Sequence, residues 1–246
     1  MFNVWMRNYL FFKKTILVSL FWTTLEPLMF LGALGYGFGH YISSIEGMSF
    51  LEFYYAGLLC TTCMMVSYFE STYPNYSKLT YQQTYSSMLL TPITTSDIFF
   101  GEVLWGATKG VIGSCGVFVV ASLFGLYNVN FFKILPVLFL LSLVFSAFGM
   151  IMISVAKNYD SFIFSTSGII VPLSLISGTY FSLNEISPVV KNFSLIFPLS
   201  HAVLFVRKAL YGQIVKIDML HIIVILAYIT ILLLIGKKLF HKKLIS

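Results

Sequence analysis

Charge is what this sequence has least of. Fifteen Lys and Arg and nine Asp and Glu make up 10% of its 246 residues, against roughly 25% in a soluble globular domain. With 58% hydrophobic residues and a mean hydropathy of +0.90, the chain cannot cover a surface in water. A soluble enzyme, a disordered chain and a nucleic-acid module are excluded. Cysteine is scarce as well. Cys60, Cys63 and Cys115 all fall inside apolar runs, and an odd count there makes no disulfide framework. Cys60-Thr-Thr-Cys63 has the spacing of a redox pair, but it lies in mid-run with no histidine nearby and reads as small buried residues. No phosphate-binding loop is present either. The single Gly-Lys pair, Gly236-Lys237, lacks both the upstream glycine and the following Ser or Thr, so the chain does not hydrolyse ATP itself. Internal repeats and a second domain are also missing.

Long apolar runs are what the sequence does have. A bilayer crossing needs about 20 mostly apolar residues in a row, and six segments qualify: about 18–39, 53–72, 103–126, 134–156, 162–182 and 219–236. The reading is a single all-α integral membrane domain over residues 1–246. The run from Ile16 to Phe38 follows Lys13 and Lys14 as a signal peptide would. It is too long for one and has no small-residue cleavage site, so it reads as a retained span. Ahead of it, Phe2, Trp5, Met6, Tyr9 and Phe12 recur at helical spacing opposite Asn3, Arg7 and Lys14, as in a helix lying in the interface.

The net charge of +6 belongs to the lipid bilayer rather than to nucleic acid, because Lys and Arg flank spans on the cytoplasmic side. Arg7, Lys13 and Lys14 precede the first span, and Lys237, Lys238, Lys242 and Lys243 follow the last. Both termini read as cytoplasmic. Lys133, Lys191, Arg207, Lys208 and Lys216 then fall outside. The stretch at 183–218 carries most of these. Its short apolar pieces, with Pro188 and Pro198, predict re-entrant helices that hold Arg207 and Lys208 near the headgroups.

Candidate functional residues follow from polarity in apolar surroundings. Glu26 and Glu70 fall within spans, where a charged carboxylate costs on the order of 2.5–3.5 kcal/mol at a helix centre. They fit a polar path or a helix–helix hydrogen bond, or else the headgroup boundary. Gly106, Gly110 and Gly113, with Ser146 and Gly149, mark close helix approach within one chain or between two. Between spans 2 and 3, Tyr81, Tyr85, Met88 and Leu89 share one face of a helix that ends at Pro92, with Gln82, Gln83 and Ser86 opposite. Ser96-Asp97 resembles the cap of the next helix. Lipid-bound helices carry Lys and Arg on their polar face. Here Lys78 is the one basic residue, so a protein groove is the better partner.

Five stretches resemble the ABC-2 type transport permeases, in particular the nodulation-factor-exporter-like branch. They are EPLMFLGALGYGFG from Glu26 to Gly39, FEST from Phe69 to Thr72, and LLTPITTSDIFFGEVLWGATKG from Leu89 to Gly110. SGTYFSLNEISPVV from Ser177 to Val190 and FPLSHAVLFVRKAL from Phe197 to Leu210 complete them. The resemblance implies an N-terminal interfacial helix, six spans, a cytoplasmic coupling helix and outer re-entrant helices. It implies a bacterial inner-membrane homodimer with a separate ABC ATP-binding subunit, which binds ATP in place of any cofactor on this chain. Exported cargoes would be lipid-linked glycans, lipo-oligosaccharides or hydrophobic drugs. On that reading Tyr81, Tyr85, Met88 and Leu89 meet the ATPase, and Tyr36, Tyr54, Tyr55 and Tyr68 line the path between protomers or anchor at the lipid interface. The rivals are a secondary carrier driven by an ion gradient and a membrane-embedded enzyme. The lack of repeated halves speaks against the first. The scatter of His40, His201, His221 and His241 speaks against the second.

Overall fold

The computed structural model describes residues 1–42, 44–212 and 218–245, without the side chains of residues 20, 22–24, 26, 27 and 36. Lys216 and the Glu26 and Tyr36 side chains therefore lie outside the described residues. Among the described residues the named elements are all helices. They are α1 (Phe2–Lys14), α2 (Ile16–Phe30), a π-helical turn (Leu31–Tyr36), α3 (Gly37–Gly39), α4 (Phe50–Thr80) and α5 (Thr84–Leu89). Then come α6 (Thr95–Leu123), α7 (Phe131–Val155), α8 (Asp160–Ser165), a second π-helical turn (Thr166–Ile170) and α9 (Val171–Ile176). The chain closes with α10 (Pro188–Ser194), α11 (Pro198–Tyr211) and α12 (Met219–Ile245).

Helices α4, α6, α7 and α12 are each long and apolar enough to cross a membrane. At 1.5 Å per residue the 31 residues of α4 reach about 46 Å, beyond the roughly 30 Å hydrocarbon layer. It runs eight residues past the expected end at 72. The other predicted spans are shorter or interrupted. Residues 18–39 form a helix broken by the π turn, and α8 to α9 (Asp160–Ile176) stop short of 182. Pro172 has no amide hydrogen for the preceding turn, and the backbone widens to i→i+5 just before it. Helices α10 and α11 meet at 96° across a three-residue break. Counted by length and composition, the described residues hold four crossing helices, or five if that bent pair is one span.

The starts of α4 and α6 are specified locally. The Ser49 hydroxyl accepts from Glu52 N–H at 3.3 Å while the Glu52 carboxylate accepts from Ser49 N–H at 3.0 Å, a reciprocal cap that starts α4. The same device starts α6, with Thr94 as the capping residue and Asp97 as its reciprocal partner. The cap is thus two residues ahead of the expected Ser96.

The centre of the bundle is α4 packed on α6 and α7, with α12 laid against α7. Small residues let these helices close. A Cβ at Gly106 would stand 2.2 Å from Ser71 Oγ and 2.4 Å from Ser146 Oγ, and one at Gly110 would stand 2.4 Å from Ser142 Oγ. Side-chain hydrogen bonds fill the seam: Ser71 Oγ to Ser146 Oγ at 2.7 Å, and Cys63 Sγ to Ser142 Oγ at 2.7 Å. The small-residue stripe therefore serves packing within one chain. Cys60 and Cys63 are free thiols buried in it.

A second, smaller core gathers Val4, Tyr76, Tyr85, Ile98, Phe99 and Phe240. Residues from near both ends of the chain meet there, so the two termini share one end of the bundle.

Candidate functional site

The polar centre of that end is a carboxylate that the sequence reading passed over. Glu102, one helical turn and more into α6, has no exposed side-chain surface, and Lys78 from the projecting end of α4 reaches it at 2.9 Å. Two side-chain amides complete the shell through three hydrogen bonds. Lys78 Nζ donates to Asn75 Oδ1 at 2.8 Å and to Asn8 Oδ1 at 3.2 Å, and Asn8 Nδ2 donates to Glu102 Oε2 at 2.7 Å. A buried charge is tolerated when it is paired and hydrogen-bonded, and each charge here is both. The network ties α1, α4 and α6 together at the point where α4 leaves the lipid-spanning bundle.

Asn8 also fixes how α1 lies. The buried side of α1 is Val4, Asn8 and Phe12, not the expected face of Phe2, Trp5, Met6, Tyr9 and Phe12. The helix is turned so that it grips α6, with Trp5 Nε1 donating to Thr108 Oγ1 at 3.0 Å, and leaves Phe2, Leu10 and Phe11 exposed. Its apolar residues thus divide between protein and surroundings, which periodicity alone could not apportion.

Glu70 sits beside this network. Its Oε1 accepts from Trp105 Nε1 at 2.7 Å, and Lys109 Nζ lies 3.6 Å from Oε2 and 4.7 Å from the centre of the Phe12 ring. Glu70 thus makes a helix–helix hydrogen bond from α4 to α6, one of the readings given for it.

Residues 81–90 bend rather than continue α4. Tyr81 follows the end of α4, Gln83 takes a left-handed conformation with φ of 48°, and α5 is only six residues long. The four residues assigned to one docking face separate. Tyr85 is fully buried, edge-on to Phe240 with ring centroids 5.7 Å apart. Met88 and Leu89 pack half-buried on the same small core. Tyr81 is 65% exposed and stacks on Tyr159 at 6.0 Å. Their apolar character holds α5 to the bundle, and the outward side carries Gln82, Gln83, Ser86, Ser87 and Leu90, the last 89% exposed. Burial, and then the nearby Glu102 carboxylate, pushes the Tyr85 phenol well up, so it stays neutral.

Tyr54, Tyr55 and Tyr68 are all fully buried within this one chain. Tyr54 stacks on Phe50, and Tyr68 stacks on Phe148 and hydrogen-bonds Ser165. None faces outward as a lining between protomers or as a lipid anchor.

The opposite end holds its own buried cation. Arg207 was expected near the headgroups. It is only 4% exposed, laid 3.5 Å over the Phe53 ring, with Nη2 donating to Gly178 O at 2.8 Å and to Phe53 O at 3.3 Å. Lys208 pairs with Asp218 at 2.6 Å. Two histidines that are scattered in sequence meet here, His201 Nδ1 and His221 Nδ1 being 2.7 Å apart. No group of three or more His, Cys, Asp or Glu among the described residues could hold a metal.

Comparison with known proteins agrees with this architecture. The profile of the ABC-2 type transporter family matches residues 1–211. Nodulation protein J of Rhizobium leguminosarum bv. viciae is 32% identical over 98% of this chain and 93% of that protein. Nodulation protein J of Rhizobium meliloti (strain 1021) is 32% identical over 98% and 92%. The inner membrane transport permease YadH of Escherichia coli is 21% identical over 85% and 82%. No solved structure matches.

Proposed function

Since the chain belongs to the ABC-2 type transporter family, we propose that it is the membrane-spanning subunit of a bacterial inner-membrane exporter. It works as a homodimer carried on two copies of a separate ATP-binding subunit. Its cargo is amphiphilic: a lipid-linked glycan, a lipo-oligosaccharide or a hydrophobic drug-like molecule. The end that holds Arg7, Lys14, Lys78 and the basic tail of α12 faces the cytoplasm, in keeping with the side on which Lys and Arg gather. The bent pair α10–α11 lies at the outer face as a re-entrant element.

The observation that carries this reading is the α4–α5 elbow. It stands beyond the lipid-spanning length, is pinned from within by Tyr85 and Phe240, and offers Leu90 and Tyr81 outward. An element fixed to α4, α6 and α12 at once passes a push from below into the bundle as a rigid body. Its outward apolar groups suit a protein groove.

Leu90→Glu tests it. The variant should insert and fold as the parent does, because residue 90 contributes nothing to the core. ATP-driven export and co-purification of the ATPase should both fall at least tenfold. Normal export from Leu90→Glu would remove the elbow from coupling. Export that survives ATP depletion but stops with a proton ionophore would replace the exporter with an ion-driven carrier.

A further inference from the structure

Between α1, α4 and α6 lies a cavity of about 650 Å³ that the transport reading does not use. Arg7, Lys14, Lys78 and Lys109 all line it, with Glu70 the one acidic side chain on its wall. Glu102, behind Lys78, answers a second of the four charges. Glu70 answers Lys109 only at 3.6 Å, outside hydrogen-bond distance. Among the described residues neither Arg7 nor Lys14 has an acidic partner within 4 Å, and Arg7 is held only by Asn8 Oδ1 at 3.3 Å. An excess of about two positive charges is thus drawn together in one concavity, where like charges raise the local potential and an anion lowers it.

The rim says what kind of anion. Phe11 and Leu10 line the cavity from α1 and are exposed beside it, on the helix whose other side grips α6. A soluble anion has no use for an apolar rim, whereas an acyl lipid places its phosphate among the cations and its chains along those side chains. Juxtamembrane cations attract an anionic lipid surface. Lysine and arginine here line one cavity, so selection is by headgroup rather than by the surface as a whole. We propose that this cavity binds the phosphate of an anionic phospholipid from the adjoining headgroup layer, with Arg7, Lys14 and Lys109 as its contacts. The site does not depend on what the protein transports, or on which leaflet this end faces.

Native mass spectrometry of the purified full-length chain in neutral detergent tests this, with dioleoyl phosphatidylglycerol, dioleoyl phosphatidylcholine and glycerol 1-phosphate as probes. The parent should retain phosphatidylglycerol at least tenfold more tightly than phosphatidylcholine, with glycerol 1-phosphate far weaker than phosphatidylglycerol. The Arg7→Gln/Lys109→Gln double variant should bring the two lipids to parity. Lys109→Arg should keep the preference, and so should Lys133→Gln at the opposite end of the bundle. Lys14→Gln, an exposed change that leaves the fold intact, should weaken the preference several-fold by itself. Equal retention of the two lipids by the parent overturns the proposal, as does a preference that survives both Lys14→Gln and the double variant. Competition by glycerol 1-phosphate at equal concentration would make the ligand a soluble phosphate and overturn the lipid assignment.

Discussion

Lys78 and Arg207 are both withdrawn from solvent, at opposite ends of the bundle, yet they are held by different means. Lys78 meets a carboxylate with no exposed surface and two side-chain amides, drawn from three helices. Arg207 meets two backbone carbonyls and the face of Phe53, with no acidic side chain within 4 Å among the described residues. In the first case the compensation lies in side chains and is lost by mutation at either partner. In the second it lies in main-chain dipoles, which no substitution at those positions removes. The difference separates an assembly point from a brace. Losing Glu102 strands a charge, while losing Arg207 only leaves carbonyls unpaired.

That contrast can be broken most sharply at Glu102. Glu102→Leu leaves the largely buried Lys78 without its counter-charge and should cost about 3 kcal/mol, the low end for breaking a buried pair, because Asn8 and Asn75 remain. Denaturant titration in mixed micelles measures it, and a double variant with Lys78→Met should recover most of the loss. If the single and double variants are equally unstable, the pair is not what holds this end. Arg207→Met should cost less, about 2 kcal/mol, a typical order for hydrogen bonds to a charged donor. Arg207→Lys should not rescue it, because an ammonium cannot reproduce a planar fork over an aromatic face. A loss as large as that of Glu102→Leu would erase the distinction. The smallest effect belongs to Glu70. Its carboxylate is partly exposed and 3.6 Å from Lys109, and an amide oxygen can still accept from Trp105. Glu70→Gln should therefore stay within about 1 kcal/mol of the parent in the same titration.

The long apolar helices were legible because hydrocarbon imposes length and composition on every residue that crosses it. The cores of α4, α6, α7 and α12 follow directly from those runs. Their ends were not, because α4 continues through Asn75, Ser77 and Lys78, polar residues that a hydropathy window rejects; Lys78 is satisfied by Asn8 on α1 and Glu102 on α6, Asn75 by Lys78 and Met150, and Ser77 by Gln82. Glu102 escaped notice for the same reason. Its meaning depends on Asn8, 94 residues away. The amphipathic pattern at 81–89 was real but its direction was inverted, since periodicity shows which residues share a face and not what that face meets. Tyr85 was read as a contact for a partner and is instead the wedge against Phe240. The His201–His221 contact likewise depends on the packing of α11 against α12, which sets side by side two histidines that are twenty positions apart.

Separation along the chain also has a consequence in time. Synthesis runs at about 5–20 residues per second, so Glu102 emerges about 1–5 s after Lys78, which lies 24 positions earlier, and about 5–20 s after Asn8, which precedes it by 94. Throughout that interval α1 has no seat on α6, and the ammonium of Lys78 has no counter-ion. The amino-terminal helix has no seat while the bundle is built, and its docking waits for the segment of α6 from Glu102 to Lys109. A ribosomal pause placed after residue 102 would shorten nothing, whereas one placed just before it would prolong the exposed state of both helices.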